Sequence, residues 1–358
     1  MNPIGQTFKS ALNIPGRPLQ EILVSSGQNN FSLLRLIAAT MVVETHSHIL
    51  LYDNSSTAYF QQQFHFSFLG LPSFFFLSGL LVTQSLHQST SWKTFLWKRF
   101  LRIYPGAWFS LLTTAFILGP AVSTLPLKSY FLSSQLYSFL ISLSLVHTNL
   151  HLPGVFEHSV IGTSSVNSSL WTISMELKLY LMLVLTGYAI RKFPAARQAL
   201  LFLIIFAIWF YGQELDSIPA GLRPWFTYGV QFLSGVLCYL YKDRIVVRPI
   251  LLFVMPILFM VSLRLNIFFY TAYLLIPSTV ILFGGFAVTF LQKITPRADL
   301  SYGIYIFAFP VQQVIANYIH PSNWLSFFLL SMTATLPLAI VSWYAIEKKA
   351  LRLKSRPG

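Results

Sequence analysis

The sequence predicts an all-α membrane protein: a polytopic bundle of about ten transmembrane helices with the N- and C-termini both cytoplasmic. Hydrophobic residues make up 55% of the 358-residue chain and charged residues only 9%. The mean hydropathy is +0.63, a composition that soluble domains of this size do not have. Apolar stretches long enough to cross about 30 Å of hydrocarbon recur along the chain. The loops between them are too short for a separate soluble domain, so we expect one membrane domain.

Eleven apolar stretches are candidate spans. They cover residues 31–51, 66–86, 103–121, 131–148, 170–190, 199–213, 225–241, 250–264, 267–291, 300–319 and 324–346. The fourth stretch, residues 131–148, is rich in serine and ends in a polar loop, which makes it the weakest candidate.

The charges of the connecting segments decide whether that stretch crosses. If it lies in the outer interface or re-enters from that side, nineteen Lys and Arg face the cytoplasm and three face outward, as the positive-inside rule requires. If it crosses, thirteen of these cations lie outside. We therefore predict a cytoplasmic N-terminal segment (1–30), one membrane domain (31–346) and a basic cytoplasmic tail (347–358). Within the domain, residues of about 122–169 form an outer interfacial or re-entrant segment.

The cysteine content and the net charge limit the possible functions. Cys238 is the only cysteine, so intrachain disulfides are impossible and a cysteine-ligated metal site is not expected. The net charge of +14 could indicate nucleic-acid binding, but excess Lys and Arg normally gather in the cytoplasmic loops of membrane proteins. We predict a lipid-embedded protein with no metal and no nucleic-acid partner.

The first span contains four ionisable residues. Arg35 and His46 are eleven residues apart, which is three helical turns plus about 20°, so they share one face about 16 Å apart along the axis. Glu44 lies on the opposite face, where it could pair with His48. Burying such groups costs roughly 2.5–3.5 kcal/mol each, so we expect them to face a wet cavity or the bundle interior. Alternatively, Arg35 snorkels to the cytoplasmic surface and His46 hydrogen-bonds a neighbouring helix.

Two arginines stand at the cytoplasmic mouth of the third span, in "KRFLRIYP". Arg99 and Arg102 are three residues apart, so both lie on one helical face. Two guanidinium groups at that spacing could grip a phosphate or diphosphate in bidentate fashion. The alternative is ordinary positive-inside anchoring.

Glu176 lies about six residues into a helix that is predicted to begin near the outer interface. Its depth therefore resembles that of His46. A carboxylate beside an imidazole can fix the tautomer and stabilise the cation, as a general base requires. The alternative is a structural pair with Lys178 or Arg264.

Several motifs in order resemble the acyltransferase-3 family of integral-membrane O-acyltransferases, from about residue 28 to residue 320. They are Arg35 and His46 in "RLIAATMVVETHS", "FFFLSGLLV" (74–82), the RxxR of Arg99 and Arg102, "LPGVFEHS" (152–159) with "NSSLWTISMELKLYL" (167–181), and "SYGIYIFAFPVQQ" (301–313). The pair at 152–181 is similar to the branch that modifies bacterial surface polysaccharides. In the second motif we expect Ser78 and Gly79 to let two helices approach closely.

The chain departs from the family pattern in two places. Many relatives carry His in the late motif where this chain has Ala308, so no catalytic role is assigned there. Glu44 and Thr45 stand where an apolar residue and a glycine are common, so Glu44 is not expected to share a family role.

The resemblance implies a bacterial inner-membrane enzyme that transfers an acyl group, usually acetyl from cytoplasmic acetyl-CoA, to a sugar hydroxyl. The acceptor would be a cell-surface or exported glycan such as the O-antigen of lipopolysaccharide, capsule or exopolysaccharide. Acetyl-CoA is then a co-substrate, and no bound cofactor is expected. The expected partners are the acyl-CoA donor, the glycan and the lipid bilayer; nothing in the sequence indicates an oligomeric state.

The resemblance also gives the charged residues roles. Arg99 and Arg102 would hold the donor phosphates, and Arg35 would guide the CoA arm. His46, supported by Glu176, would act as general base or as nucleophile. Candidates for oxyanion or acceptor contacts are Asn167, Ser168 and Trp171.

A transporter or flippase for a polar substrate is the alternative function, because intramembrane Arg, His and Glu also mark substrate paths. Transporters often consist of two similar halves with broken helices. No such duplication is visible in the sequence, and the RxxR motif occurs at one mouth only. The motifs therefore favour the acyltransferase.

Overall fold

The structure, a computed structural model, describes residues 16–24, 29–63, 69–157, 159, 163–214, 217–285 and 298–355. Most of the predicted N-terminal segment and the last three residues of the basic tail lie outside these ranges. So do residues 66–68 of the second predicted span and residues 286–291 of the ninth.

The described chain is nearly all helical, as the sequence predicts. The helices are α1 (Leu19–Val24), α2 (Phe31–Gln63), α3 (Gly70–His87), α4 (Trp92–Val122, with a π turn at Thr114–Leu118), α5 (Leu127–Leu132), α6 (Ser134–Leu140), α7 (Leu170–Lys192), α8 (Pro194–Gln213), α9 (Val230–Leu240, after a π turn at Trp225–Gly229), α10 (Leu251–Arg264), α11 (Phe268–Gly285), α12 (Ser301–Tyr318) and α13 (Trp324–Arg352, with a π turn at Ser342–Glu347). The short strands β1 (Arg17–Pro18) and β2 (Val246–Val247) pair in antiparallel fashion.

Five helices in the described residues are long and apolar enough to cross a membrane, namely α4, α7, α8, α11 and α13. The count of ten spans and the cytoplasmic position of both termini stay predictions.

Local chemistry sets where several of these helices begin. Ser91 caps α4 by accepting from the Thr94 amide at 3.1 Å, Asn323 caps α13, and Pro194 opens α8. Each satisfies or removes an amide donor that a helix N-terminus leaves without a partner.

The fourth apolar stretch folds as short helical segments that lie along α4. It consists of the end of α5, then α6, then a 3₁₀ turn at Ile141–Ser144, which ends at Leu145 in a left-handed conformation (φ 57°). The Tyr130 hydroxyl donates to the Ala115 carbonyl at 2.7 Å, and the Tyr104 hydroxyl donates to the Ser144 carbonyl at 3.0 Å. These contacts are eleven residues apart on α4, or about 16 Å at 1.5 Å per residue. The stretch is therefore not one spanning helix, and its side of the membrane stays a prediction.

The chain divides into two compact units, and the first comprises residues 1–35, 71–88 and 182–297. Helices α3 and α9 cross closely within it. A Cβ at Gly79 would collide with the Phe232 carbonyl oxygen, and a Cβ at Gly235 would collide with the Phe76 carbonyl oxygen. Because backbone atoms occupy both places, neither glycine can be replaced without separating the helices. The predicted close approach at Gly79 is confirmed.

The second unit comprises residues 36–70, 89–181 and 298–358, and it contains every candidate site residue except Arg35. Helix α12 lies at its centre and is buried along most of its length. A Cβ at Gly303 would lie 2.9 Å from the Ala339 Cα, so α12 packs directly on the backbone of α13. The Ser110 hydroxyl on α4 donates to the Ile306 carbonyl of α12 at 3.0 Å. Helices α4 and α13 thus both pack on α12, which lies between the elements of the candidate site.

Candidate active site

His46 lies on α2 and packs edge-on against Phe309 of α12. The ring centroids are 5.2 Å apart and the planes are nearly perpendicular, at 89°. Its Nδ1 atom is buried and has no hydrogen-bond partner among the described residues. Since buried polar atoms are almost always satisfied in folded proteins, this nitrogen is a candidate for contact with a substrate.

Gln312 fixes the part of α2 that carries His46. Its amide nitrogen donates to the Val43 carbonyl and to the Ser47 hydroxyl, each at 2.8 Å. Gln312 is fully buried, and its Oε1 atom has no partner in the described part of the chain. The neighbouring Gln313 donates to the Ser165 carbonyl at 2.6 Å. Sequence reasoning did not single out these glutamines; two adjacent amides inside an apolar span were the available signal.

Glu44 and His48 occupy the other side of α2. His48 is buried and its ring lies 6.4 Å from the Trp324 ring, centroid to centroid. Glu44 is half-buried. The pairing of these two side chains that four-residue spacing allows stays a prediction.

Arg99 on α4 interacts electrostatically with residues of α7. The Tyr180 hydroxyl donates to the Glu176 carboxylate one turn along α7. Arg99 interacts electrostatically with both Tyr180 and Glu176, and its guanidinium carbon lies 5.9 Å from the Phe95 ring centroid. Tyr180 was not predicted, although its four-residue spacing from Glu176 is the usual one for a side-chain pair on a helix.

Glu176 and His46 were predicted to lie close together. Among the described residues, the His46 ring contacts Phe309, and no hydrogen bond joins it to the Glu176 carboxylate. The Glu176 carboxylate accepts instead from the Tyr180 hydroxyl on the same helix. Its support of His46 in catalysis stays a prediction.

Arg102 is held by two carboxylates. Its Nη2 atom lies 2.6 Å from the Asp299 Oδ2 atom, and its Nη1 atom lies 4.0 Å from the Glu347 Oε2 atom. The carboxylates beside Arg102 therefore come from the segment before α12 and from the π turn of α13. Neither Asp299 nor Glu347 was predicted, although they are two of only ten acidic residues in the chain.

The predicted oxyanion candidates lie at the start of α7. Asn167 hydrogen-bonds the backbone there and the backbone of α12. Asn167 is 1% exposed; its amide nitrogen donates to the Ile306 carbonyl at 2.9 Å and its oxygen accepts from the Ser169 amide at 3.2 Å. The Ser168 hydroxyl donates to the Ser165 hydroxyl at 2.8 Å, and Trp171 is half-buried. Asn167 and Ser168 thus have structural contacts, and an oxyanion role for any of the three stays a prediction.

Arg35 is half-buried near the start of α2, and its Nη2 atom donates to the Ser32 hydroxyl at 3.2 Å. It precedes His46 on the same continuous helix. It belongs to the first unit, whereas the other candidate residues belong to the second.

These features define a multi-pass membrane protein that carries ionisable side chains within its helices. The profile of a family described as an acyltransferase domain matches residues 28–344. The chain therefore belongs to this acyltransferase family, and it is an acyltransferase, as the motifs predicted.

Two curated relatives match along nearly their full lengths. A protein named O-acetyl transferase from Shigella phage Sf6 is 29% identical, with 91% of this chain and 97% of the relative covered. Nodulation protein 10 from Rhizobium leguminosarum bv. viciae is 25% identical, with 92% of this chain and 95% of the relative covered. No solved structure matches the chain.

Proposed function

We propose that this protein is an O-acetyltransferase of a bacterial inner membrane. It would move acetyl from cytoplasmic acetyl-CoA to a hydroxyl of a cell-surface or exported polysaccharide. Membership of the acyltransferase family supports the reaction type, and the name of the phage relative supports the acetyl group. The observation that carries the proposal is the buried Nδ1 atom of His46, which has no hydrogen-bond partner among the described residues of the family domain.

His46 is proposed to handle the proton of the acceptor. As the sugar hydroxyl oxygen attacks the thioester carbonyl carbon, the imidazole takes the hydroxyl proton. The new C–O bond forms, the C–S bond breaks, and CoA leaves as a thiolate that receives the proton from the imidazolium. If His46 is instead the nucleophile, acetyl passes through the imidazole before it reaches the hydroxyl. Both routes use the lone pair of an imidazole nitrogen.

The donor end of the site is proposed to lie at Arg99. A guanidinium offers the planar, bidentate donors that suit phosphate oxygens. Glu176 and Tyr180 interact with Arg99, so they would hold its side chain in place when no donor is bound. Arg35, earlier on the helix that carries His46, is proposed to contact the CoA arm. Ten spans with cytoplasmic termini would give Arg99 access to cytoplasmic acetyl-CoA.

Mass spectrometry of surface glycans tests the proposal. Cells that express the protein and cells that lack it are compared, and glycans of the expressing cells are expected to gain the mass of one acetyl group per modified sugar. The gain should disappear after mild alkali, because alkali cleaves O-acetyl esters. Identical glycan masses in both cultures would refute glycan O-acetylation. A change in glycan amount without a change in mass would favour a transporter or flippase.

A further inference from the structure

We propose that Arg102 is a positioning residue that fastens α4 to the start of α12 and the π turn of α13. In this arrangement the donor-binding role of the RxxR pair falls to Arg99 rather than to both arginines. This inference rests on the proposed function only for the role of Arg99. The fastening role of Arg102 stands on its own contacts.

The first contact is with the residues that lead into α12. The Arg102 Nη2 atom lies 2.6 Å from the Asp299 Oδ2 atom, and each side chain is 16% exposed. The other carboxylate oxygen of Asp299 accepts from the Ser301 hydroxyl at 2.6 Å. Asp299 thus joins the guanidinium to the first turn of α12, and both of its oxygens are used.

The second contact is with the π turn of α13. Glu347 is 2% exposed, and its Oε2 atom lies 4.0 Å from the Arg102 Nη1 atom. Its Oε1 atom accepts from the Ser342 hydroxyl at 2.7 Å, at the opposite end of the same turn. Oε2 has no hydrogen-bond partner among the described residues. Arg102 is the cation that lies within 4.0 Å of this buried carboxylate in the described part of the chain.

The backbone of α4 is shaped for these contacts. Gly106 lies one turn after Arg102, and a Cβ there would lie 2.7 Å from the Tyr302 Cε1 atom and 3.3 Å from the Glu347 Cγ atom. The Tyr302 hydroxyl donates to the Ile103 carbonyl at 2.7 Å. The absence of a side chain at residue 106 allows α12 and the π turn to reach the arginine.

The charges explain why Arg102 is a poor phosphate ligand. A donor phosphate would have to draw the guanidinium away from Asp299 and Glu347, and this would leave two carboxylates uncompensated in surroundings of low polarity. The phosphate would also approach those carboxylates, which repel it. Arg99, one turn earlier on α4, interacts with Glu176 and Tyr180 of α7 instead. The two arginines therefore serve different neighbours despite their common helical face.

A charge-neutral variant separates fastening from donor binding. Arg102→Met alone leaves two carboxylates uncompensated, so the purified protein should have a much lower Tm. The triple variant Arg102→Met, Asp299→Asn, Glu347→Gln removes all three charges but keeps the acceptors for Ser301 and Ser342, so it should recover most of the lost Tm. Its KM for acetyl-CoA should stay within about threefold of the wild-type value. The matched variant Arg99→Met should raise that KM by about tenfold, the loss expected for a charge-assisted hydrogen bond.

Acetyl-CoA and its 3′-dephospho analogue provide a readout that stability alone does not move. If the wild type prefers acetyl-CoA, the triple variant should keep that preference and Arg99→Met should lose it. A triple variant no more stable than Arg102→Met would overturn the fastening role. A stable triple variant with a tenfold higher KM would show that Arg102 binds the donor. If the wild type transfers nothing from acetyl-CoA, the proposed function fails, and the Tm comparison still decides the role of Arg102.

Discussion

The side-chain amide of Gln312 donates to the hydroxyl of Ser47 at 2.8 Å, and the residue before Ser47 is His46. The same amide nitrogen donates to the Val43 carbonyl. Gln312 therefore binds both ends of the helical turn of α2 that contains His46. Phe309, three residues before Gln312, supports the ring itself. Helix α12 therefore sets the position of His46. It does so although it carries Ala308 where many relatives have a histidine.

Replacing Gln312 should slow acetyl transfer more than it weakens donor binding. Gln312→Leu keeps the side-chain volume approximately and removes the bond to Ser47, so the turn that carries His46 loses its fixed position. We expect kcat to fall about tenfold or more, KM for acetyl-CoA to change little, and stability to fall by about 1 kcal/mol. Initial rates and thermal unfolding of the purified protein measure these effects. An unchanged kcat would show that Gln312 has no influence on His46.

Glu176→Gln distinguishes the two partners considered for this carboxylate. If Glu176 holds Arg99 through their electrostatic interaction, KM for acetyl-CoA should rise about threefold to tenfold, while kcat and its pH dependence stay near wild type. Tyr180→Phe should act in the same direction and more weakly. If Glu176 supports His46, kcat should fall and its pH profile should shift instead. Kinetics across pH 5 to 9, the range in which an ordinary imidazole titrates, separate the two results.

Gly79→Val should prevent the first unit from assembling. The new side chain would meet the Phe232 carbonyl, and the backbone of α9 cannot yield without breaking its own helical hydrogen bonds. Little monodisperse protein should be recovered by size-exclusion chromatography in detergent. Gly221→Ala is the matched control, because a Cβ at residue 221 meets nothing within 4 Å. Normal recovery of Gly79→Val would contradict the close crossing.

Thr335→Val should stabilise the second unit. Thr335 is fully buried on α13, and its hydroxyl oxygen has no hydrogen-bond partner among the residues described. Valine has a similar shape and no polar atom to bury, so the free energy of unfolding should rise by about 1 kcal/mol. A higher Tm in a detergent thermal-shift assay would support this account. A lower Tm would mean that the hydroxyl makes a stabilising contact.

Much of the fold follows from composition and local pattern. The long apolar helices α4, α7, α8, α11 and α13 correspond to predicted spans because helix length and hydrophobicity are local properties of the sequence. The fourth stretch is different: its apolar content resembles a span, but its serines and the turn at Leu145 divide it into short helices. The close contact at Gly79 was predictable because small residues mark helix crossings.

The site was only partly predictable, because its important contacts join distant parts of the chain. Helical periodicity places Arg99 and Arg102 on one face, but it contains no information about Asp299 and Glu347, which lie about 200 and 245 positions later. In the same way, equal depth suggested that Glu176 and His46 meet, but it gave no information about the hydrogen bond from Tyr180 to Glu176. Depth follows from counting residues along a helix, but the direction of a side chain depends on how the helices pack.

The most direct test of the central claim is transfer of labelled acetyl from acetyl-CoA to total cell glycan by membranes that contain His46→Gln. Glutamine keeps a polar side chain of similar reach but cannot act as a general base at neutral pH, so transfer should fall at least about 100-fold with an unchanged amount of folded protein. His48→Gln, two residues further along α2, is the matched control and should retain most activity. If His46→Gln transfers as much label as the wild type, His46 is not the catalytic residue.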